Sequence, residues 1–539
     1  MPKRATLLDL GVLTFAVLLA CAPLLRHGPQ AGHDLHVQIA RYVGFTEQVG
    51  DGELWPRWLV DANGGGGAAT FFFYPALPFH VASLGVLLRP GAPLAVQYGT
   101  GVTLLILLSA WSWYATLRPV VGSRRAAWSA VLYALGPYHF AIDLLGRHAL
   151  AELGAFVLVP PLFGMFARTR RGEASGAGFA CCYALLIATH LPSALLASGF
   201  LLIVLVASGL PERGARMRLA AGIATGLLLA SFYLVPALAS MRELRADALT
   251  SGRLSTSLWF LFDGTVSPDP DLEWRLGIVL GAHLAVLALV VALDRRAWRQ
   301  PAAIVVLATA LLVTPVSALL WRLPILQGVQ FPWRALLFSE AGALALLATA
   351  RRGAALGALL ILVVATGLAA GPWRQLDRLA GDERHQREQA RRLELRADAP
   401  ESTPPTMPLH PADLSHRLIG AVHVGCDPAR GRVEILDWGP RSVAFQAELR
   451  IPTELVVRQL YWTGWRARIE GRDETLPLRA TPETGLLALD APAGRSRIRL
   501  TLPWRPSEWW GAALTMFGLA ALLALRRARI PAPQNLASG

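Results

Sequence analysis

The sequence predicts a polytopic α-helical membrane protein, of about 12 transmembrane helices, that carries one mainly β, sandwich-like domain outside the bilayer. Three observations predict it. Of 539 residues, 54% are hydrophobic and only 16% charged, and mean hydropathy is +0.42, too apolar for an ordinary soluble chain of this size. Apolar runs long enough to cross roughly 30 Å of hydrocarbon recur through residues 1–371. The polar region 372–508 then breaks into short, partly alternating segments separated by Gly, Pro and Asp turns.

The apolar runs place spans near residues 6–25, 96–117, 126–142, 150–167, 178–190, 193–208, 218–240, 274–293, 302–320, 334–350, 354–371 and 509–525. The first follows Lys3 and Arg4 and lacks a small-residue cleavage site, so it reads as a retained helix. The segment 71–88 is apolar too, but Pro75 and Pro78 interrupt it. Charge settles its reading. If it does not cross, the arginine loops at 118–125, 168–171, 213–218, 295–299, 351–352 and 526–529 all share the side of Lys3 and Arg4. It is therefore expected to be re-entrant or interfacial, with both termini cytoplasmic. Three units follow: a membrane core 1–371 with an outer first loop 26–95, an extracytoplasmic domain 372–508, and a last span with its tail, 509–539.

Residues 372–508 open with a charged helical stretch, pass through the Pro-rich "APESTPPTMPLHPAD", and continue as strands such as "SVAFQAELRI" and "SRIRLTLPW", the pattern of a small β-sandwich. "YWTGWRARIEGR" reads as a hairpin whose Trp462 and Trp465 form a core seam or stack on a sugar ring.

A formal charge of +14 raises the question of nucleic acid. The basic residues, however, are scattered through short interhelical loops, where they report topology, so no nucleic-acid partner is expected. Three of the four cysteines lie in apolar runs, which leaves no disulfide framework. There is no Walker lysine loop, no dinucleotide glycine motif and no H-E-x-x-H; "NGGGGAAT" reads as a flexible link.

The unusual polar motifs gather on the predicted outer face, which points away from cytosolic nucleotide-linked donors. "GHDLHVQIAR" sets His33, Asp34 and His36 at the outer end of the first span. Local chemistry leaves three readings open: a carboxylate base, a site for a divalent cation with H-D-x-H as ligands, or a polar loop in which Asp34 caps the next helix. "DLLGRHALAE" places Asp143, Arg147, His148 and Glu152 at a span junction, as a salt bridge or as a phosphate-binding arginine with its partners. "LQGVQFPWR" supplies Gln330, Trp333 and Arg334, readable as anion contacts at a helix start or as an aromatic anchor with a snorkelling arginine. His190 sits at a Pro-broken helix end, and Tyr74 is a candidate for lining the first-loop cavity.

Taken in order, the first loop running into "FFFYPALPFHVASL", then "GRHALAELGAFVLVPP", "THLPSAL", "QFPWR" and "YWTGWRARIEGR", the chain resembles the bacterial 6-pyruvoyl-tetrahydropterin-synthase-related membrane proteins. These are similar in turn to GT-C membrane glycosyltransferases. True pterin synthases are small soluble zinc enzymes, and nothing in this sequence looks like one.

The resemblance implies an integral-membrane glycosyltransferase of the bacterial cytoplasmic (inner) membrane, embedded among membrane lipids with its soluble domain outside. Its donor would be a polyprenyl-phosphate-linked sugar and its acceptor a glycan, lipid or protein hydroxyl. Asp34 would inherit the base role of the first-loop acid, tuned by His33 and His36. Arg147 and Arg334 would face the phosphate, and Glu152, His148, Gln330, His190 and Tyr74 would line the substrate site. No cofactor is expected with certainty; some GT-C enzymes use a divalent cation and others do not. Two other classes compete: a transporter or flippase of lipid-linked saccharides, and a non-catalytic envelope-assembly protein. Transporters tend to show an internal repeat and midplane charges, whereas here the two halves do not repeat and the polar motifs crowd one face.

Overall fold

The computed structural model describes residues 2–245, 251–264, 267–472 and 475–527. Its first half runs α1 (Pro2–Ala20), α2 (Leu35–Gly50), α3 (Leu77–Leu88), α4 (Leu94–Val121), α5 (Ser123–Ala134), a π-helix (Pro137–Arg147) and α6 (Leu150–Arg170). α7 (Ala177–Thr189), α8 (Leu191–Ala207), α9 (Arg213–Leu229), α10 (Ser231–Ser240), α11 (Pro270–Leu293), α12 (Pro301–Leu312), α13 (Leu336–Thr349) and α14 (Ala354–Ala380) follow. The charged α15 (Glu383–Leu395) precedes the strands, and α16 (Pro506–Arg527) follows them.

Among the described residues, α4, α6, α11, α14 and α16 are long and apolar enough to cross a membrane; α9 and the helix after it, bent by 63°, make a sixth if counted together. That is fewer full-length spans than the about twelve apolar runs, because the backbone breaks several runs. α1 stops at Ala20 and a separate turn, Ala22–His27, follows. The run at 302–320 yields only the 12-residue α12 before 3-10 turns begin at Pro315. The run at 126–142 is divided between α5 and the π-helix. Segment 71–88 forms the short α3 of 12 residues, about 18 Å long.

Two devices let helices pack without exposing polar backbone. Pro160 and Pro161 inside α6 remove the donors that would serve the carbonyls of Phe156 and Val157. Those oxygens accept instead from Tyr133 Oη at 2.9 Å and Ser112 Oγ at 2.6 Å, on α5 and α4. Between α3 and α4 the backbones nearly touch: a Cβ on Gly85 would fall 1.9 Å from the Gln97 oxygen, and one on Gly101 would fall 2.0 Å from the Ala82 oxygen. Small residues are the requirement for such an approach.

The polar region folds as β1 (Val424–Gly425), β2 (Gly431–Trp438), β3 (Ser442–Leu449), β4 (Thr453–Leu460), β5 (Arg466–Ile469), β6 (Thr475–Leu476), β7 (Arg479–Ala480), β8 (Leu486–Ala491) and β9 (Gly494–Thr501). They form two antiparallel sheets in the orders β1-β4-β8-β7 and β2-β3-β9-β5-β6, whose inward residues share one core. That core also takes in Trp58, Val60, Ala69 and Phe72 of the first loop. Trp462 and Trp465 pack on Trp58, ring centroids 6.3 and 5.8 Å away, so they form a buried seam.

"NGGGGAAT" is ordered, contrary to its reading as a flexible link. Asn63, Gly64, Gly65 and Gly67 all have positive φ, and a Cβ on Gly67 would meet Gln459 at 2.6 Å and Trp58 at 2.7 Å. Gln459 Nε2 donates to the Gly65 carbonyl at 2.9 Å, and Trp58 Nε1 donates to Gln459 Oε1 at 2.7 Å. The glycines permit a close dock between loop and sheet.

Substituting Gly101→Leu is expected to overpack the α3–α4 crossing at a cost of at least about 1–3 kcal/mol. Gly281→Ala in α11, where nothing lies within 4 Å of the new atom, is expected to leave stability unchanged or raise it by about 0.5–1 kcal/mol. Melting of the detergent-solubilised variants separates the two.

Candidate functional site

The π-helix, α6, the first loop and the 3-10 turn Pro332–Ala335 meet at one point. The π-helix ends with free carbonyls at Gly146 and Arg147, and the first loop satisfies both. His33 N donates to Gly146 O at 3.2 Å and Asp34 N to Arg147 O at 2.8 Å. Gly32 permits this approach, since a Cβ there would lie 2.8 Å from the Cβ of His148. At the other end of the π-helix, buried Glu340 of α13 accepts from Tyr138 N at 2.7 Å and His139 N at 3.1 Å.

Arg147 is the hub. Its Nη1 donates to Asp143 Oδ1 at 2.5 Å and to Glu152 Oε2 at 2.8 Å, and its Nη2 lies 3.8 Å from Asp34 Oδ2. Its guanidinium sits 4.4 Å from the ring centroid of Trp333. Trp333 is buried and stacks on Phe331, so it is a platform for Arg147, not a belt anchor. Glu152 accepts from Tyr138 Oη at 2.6 Å and lies 3.5 Å from Arg334 Nε. Arg334 Nη1 donates to Val329 O at 2.6 Å and Gln330 Oε1 at 3.3 Å, while its Nε has no hydrogen-bond partner. Gln330 holds the turn with φ +67°.

Asp34 differs from its neighbours in exposure: its side chain is 45% exposed, against 5% or less for Arg147, Asp143 and Glu152. It occupies the N-cap position of α2, yet its carboxylate makes no capping hydrogen bond, so the capping alternative does not describe it. His33 is also exposed, and its Nε2 lies 3.5 Å from Asp269. Asp269 caps α11 by accepting from Leu272 N at 3.0 Å. Sequence reasoning missed Asp269 and Tyr138; "SPDPD", an aspartate before a proline at a helix start, carried the signal for the first.

The other candidates divide. His190 is buried, with Nδ1 2.7 Å from Ser193 Oγ. Tyr74 accepts from Gln38 Nε2 at 3.3 Å and packs its ring 4.4 Å beneath the Arg41 guanidinium, while Arg41 donates to Asp398, in the segment between α15 and the strands, at 2.7 Å. His148, with φ +63°, is buried beside Tyr98 and bonds the Leu144 carbonyl at 3.2 Å; it shapes the turn.

His36 is not brought to the cluster. It lies two positions, about 200° of helix rotation, beyond Asp34, and lines a 560 Å³ groove with Glu388, Arg391, Arg392 and His416. Burial, then the nearby Arg392 charge, lowers its pKa, while the Asp34 charge acts the other way. Among the described residues no group of three His, Cys, Asp or Glu side chains is placed to hold a metal ion.

No family model matches the chain, and no curated protein matches it; membership of the pterin-synthase-related family is thus not shown. Among solved structures, the chain is similar to the arabinofuranosyltransferase AftD from Mycobacteria, at 20% identity and a TM-score of 0.42 over 69% of this chain. A mutant form of the same protein gives 18% identity and 0.40. The chain spans 27% of the length of the first of those structures and 28% of the second.

Removing Arg147 would leave buried Asp143 without its ion pair and take from Glu152 one of its two arginines. Arg147→Ala is expected to lower stability by about 3–5 kcal/mol, whereas Asp34→Asn, at a half-exposed position, is expected to change it by less than about 1 kcal/mol. Thermal unfolding of both variants checks the contrast.

Proposed function

We propose that the protein is an integral-membrane glycosyltransferase of the GT-C type, working at the outer face of the bacterial inner membrane. It takes a sugar from a polyprenyl phosphate and passes it to a hydroxyl of an envelope glycan, lipid or protein. The observation that carries this reading is one exposed carboxylate, Asp34, held 3.8 Å from a buried arginine that is itself pinned by two carboxylates.

In the proposed reaction the acceptor oxygen attacks the anomeric carbon as its proton passes to Asp34. The bond from that carbon to the phosphate oxygen breaks with inversion, and the electron pair leaves with the phosphate. Base catalysis of this kind supplies roughly 10²–10⁴-fold in rate. The cluster holds three carboxylates against two guanidiniums, so Arg147 is already neutralised by its own partners. Arg334, which has a single carboxylate partner, Glu152 at 3.5 Å, against three for Arg147, is the better phosphate contact, and Arg147 orients Asp34 and Glu152. His33, beside Asp269, tunes the base, whereas His36 belongs to the neighbouring groove and not to the reacting centre.

In membranes supplied with polyprenyl-phosphate sugars, Asp34→Asn is expected to lower transfer by about 10²-fold or more while leaving the melting temperature in place. Arg334→Ala is expected to lose transfer and Arg334→Lys to recover part of it, because lysine restores the charge without the planar fork. Unchanged turnover in Asp34→Asn would defeat the base assignment.

A further inference from the structure

A cavity of 870 Å³ shares no lining residue with the Asp34 cluster and lies within the size range of roughly 300–1,000 Å³ of small-molecule sites. α4 packs closely on α6, and α12 on α13, but the two pairs meet one another at few points. The gap between them is the cavity. Its walls are apolar: Leu117 of α4, Phe163 of α6, Val204 of α8, Val305 of α12, and Phe338 and Ala345 of α13. Arg168, in the last turn of α6, and Arg171 and Glu173 just beyond it, complete the lining. Glu173 accepts from Arg171 at 2.6 and 3.0 Å, so Arg168 supplies the charge in excess.

The position within the bundle is informative. α6 carries Glu152 in its first turn and Arg168 in its last, about 24 Å apart along the helix axis. The charged edge of this cavity and the Asp34 cluster therefore stand at opposite ends of one membrane-spanning helix. Apolar walls of this kind stay dry, and in hydrocarbon they are filled by lipid chain. A guanidinium at the chain's polar end matches a phosphate oxygen pair.

We propose that this cavity binds an anionic glycerophospholipid of the adjacent leaflet, with an acyl chain between the two helix pairs and the phosphate on Arg168. A zwitterionic lipid fills the same walls but brings its own cation, which the arginine edge repels. The site is independent of the sugar-transfer reading.

The full chain, reconstituted in nanodiscs of equal phosphatidylglycerol and phosphatidylcholine and released into mild detergent, would be examined by native mass spectrometry. The wild type is expected to retain phosphatidylglycerol in about threefold excess, the scale of one exposed charge pair. Arg168→Glu, and Arg168→Gln as the milder variant at the same exposed position, should abolish that excess. Ala345→Phe, which fills the cavity, should reduce the total lipid retained. Equal retention of the two lipids by the wild type, an undiminished excess in both Arg168 variants, or undiminished lipid in Ala345→Phe would each overturn the proposal.

Discussion

The constraint on which the structure depends is the burial of the Arg147 guanidinium beside Asp143 and Glu152. Ions removed from water near a bilayer are tolerated only when every partner is in place. Meeting that demand fixes the end of the π-helix, the start of α6 and, through Trp333 and Arg334, the turn that opens α13. Glu340 ties the other end of the π-helix to the same α13. The junction of the π-helix with α6 and the turn before α13, distant in sequence, are thus held by one electrostatic requirement, and the solvent-facing Asp34 is hung from the carbonyl of the arginine at its centre.

The first loop does the second piece of organising. Its aromatic residues are divided between two cores: Tyr42, Phe45 and Phe71 pack into the helical bundle, while Trp58 and Phe72 complete the core of the sheets. Buried polar pairs repeat the pattern. Arg41 donates to Asp398, and Arg57 lies 2.9 Å from Glu508 at the start of α16. Burial lowers the Arg57 pKa to about 10, and the Glu508 charge works against that fall. The loop that carries the proposed base is therefore clamped from the helical bundle and from the sheets, the kind of support that holds an exposed carboxylate in a fixed position.

Much of the fold was legible because it rests on local pattern. Apolar composition marks the helices, and the alternation in "SVAFQAELRI" marks β3, whose Val443, Phe445, Ala447 and Leu449 are buried on one face. Span number was less legible. Hydropathy records how apolar a run is, but breaks at Cys21, Leu135 and Thr314 depend on what each helix end packs against. The glycine run at 63–67 misled for a related reason: sequence shows that glycine permits unusual backbone, but not that Gln459 and Trp58 arrive to exploit it.

The sequence by itself determined which segments are apolar, which are strand-like, and which stretches carry uncommon polar groups, since these follow from residue type and spacing. Only the tertiary structure decided which of those groups meet. Asp34, Arg147, Glu152 and Arg334 are hundreds of residues apart at their extremes, and they converge because buried charges must find partners. His36, two residues from Asp34, is turned away by the rotation of the helix it sits on. Adjacency in sequence placed His33, Asp34 and His36 in one motif; the geometry of a helix and the pairing of buried ions separated Asp34 from His36 and joined it to Arg147.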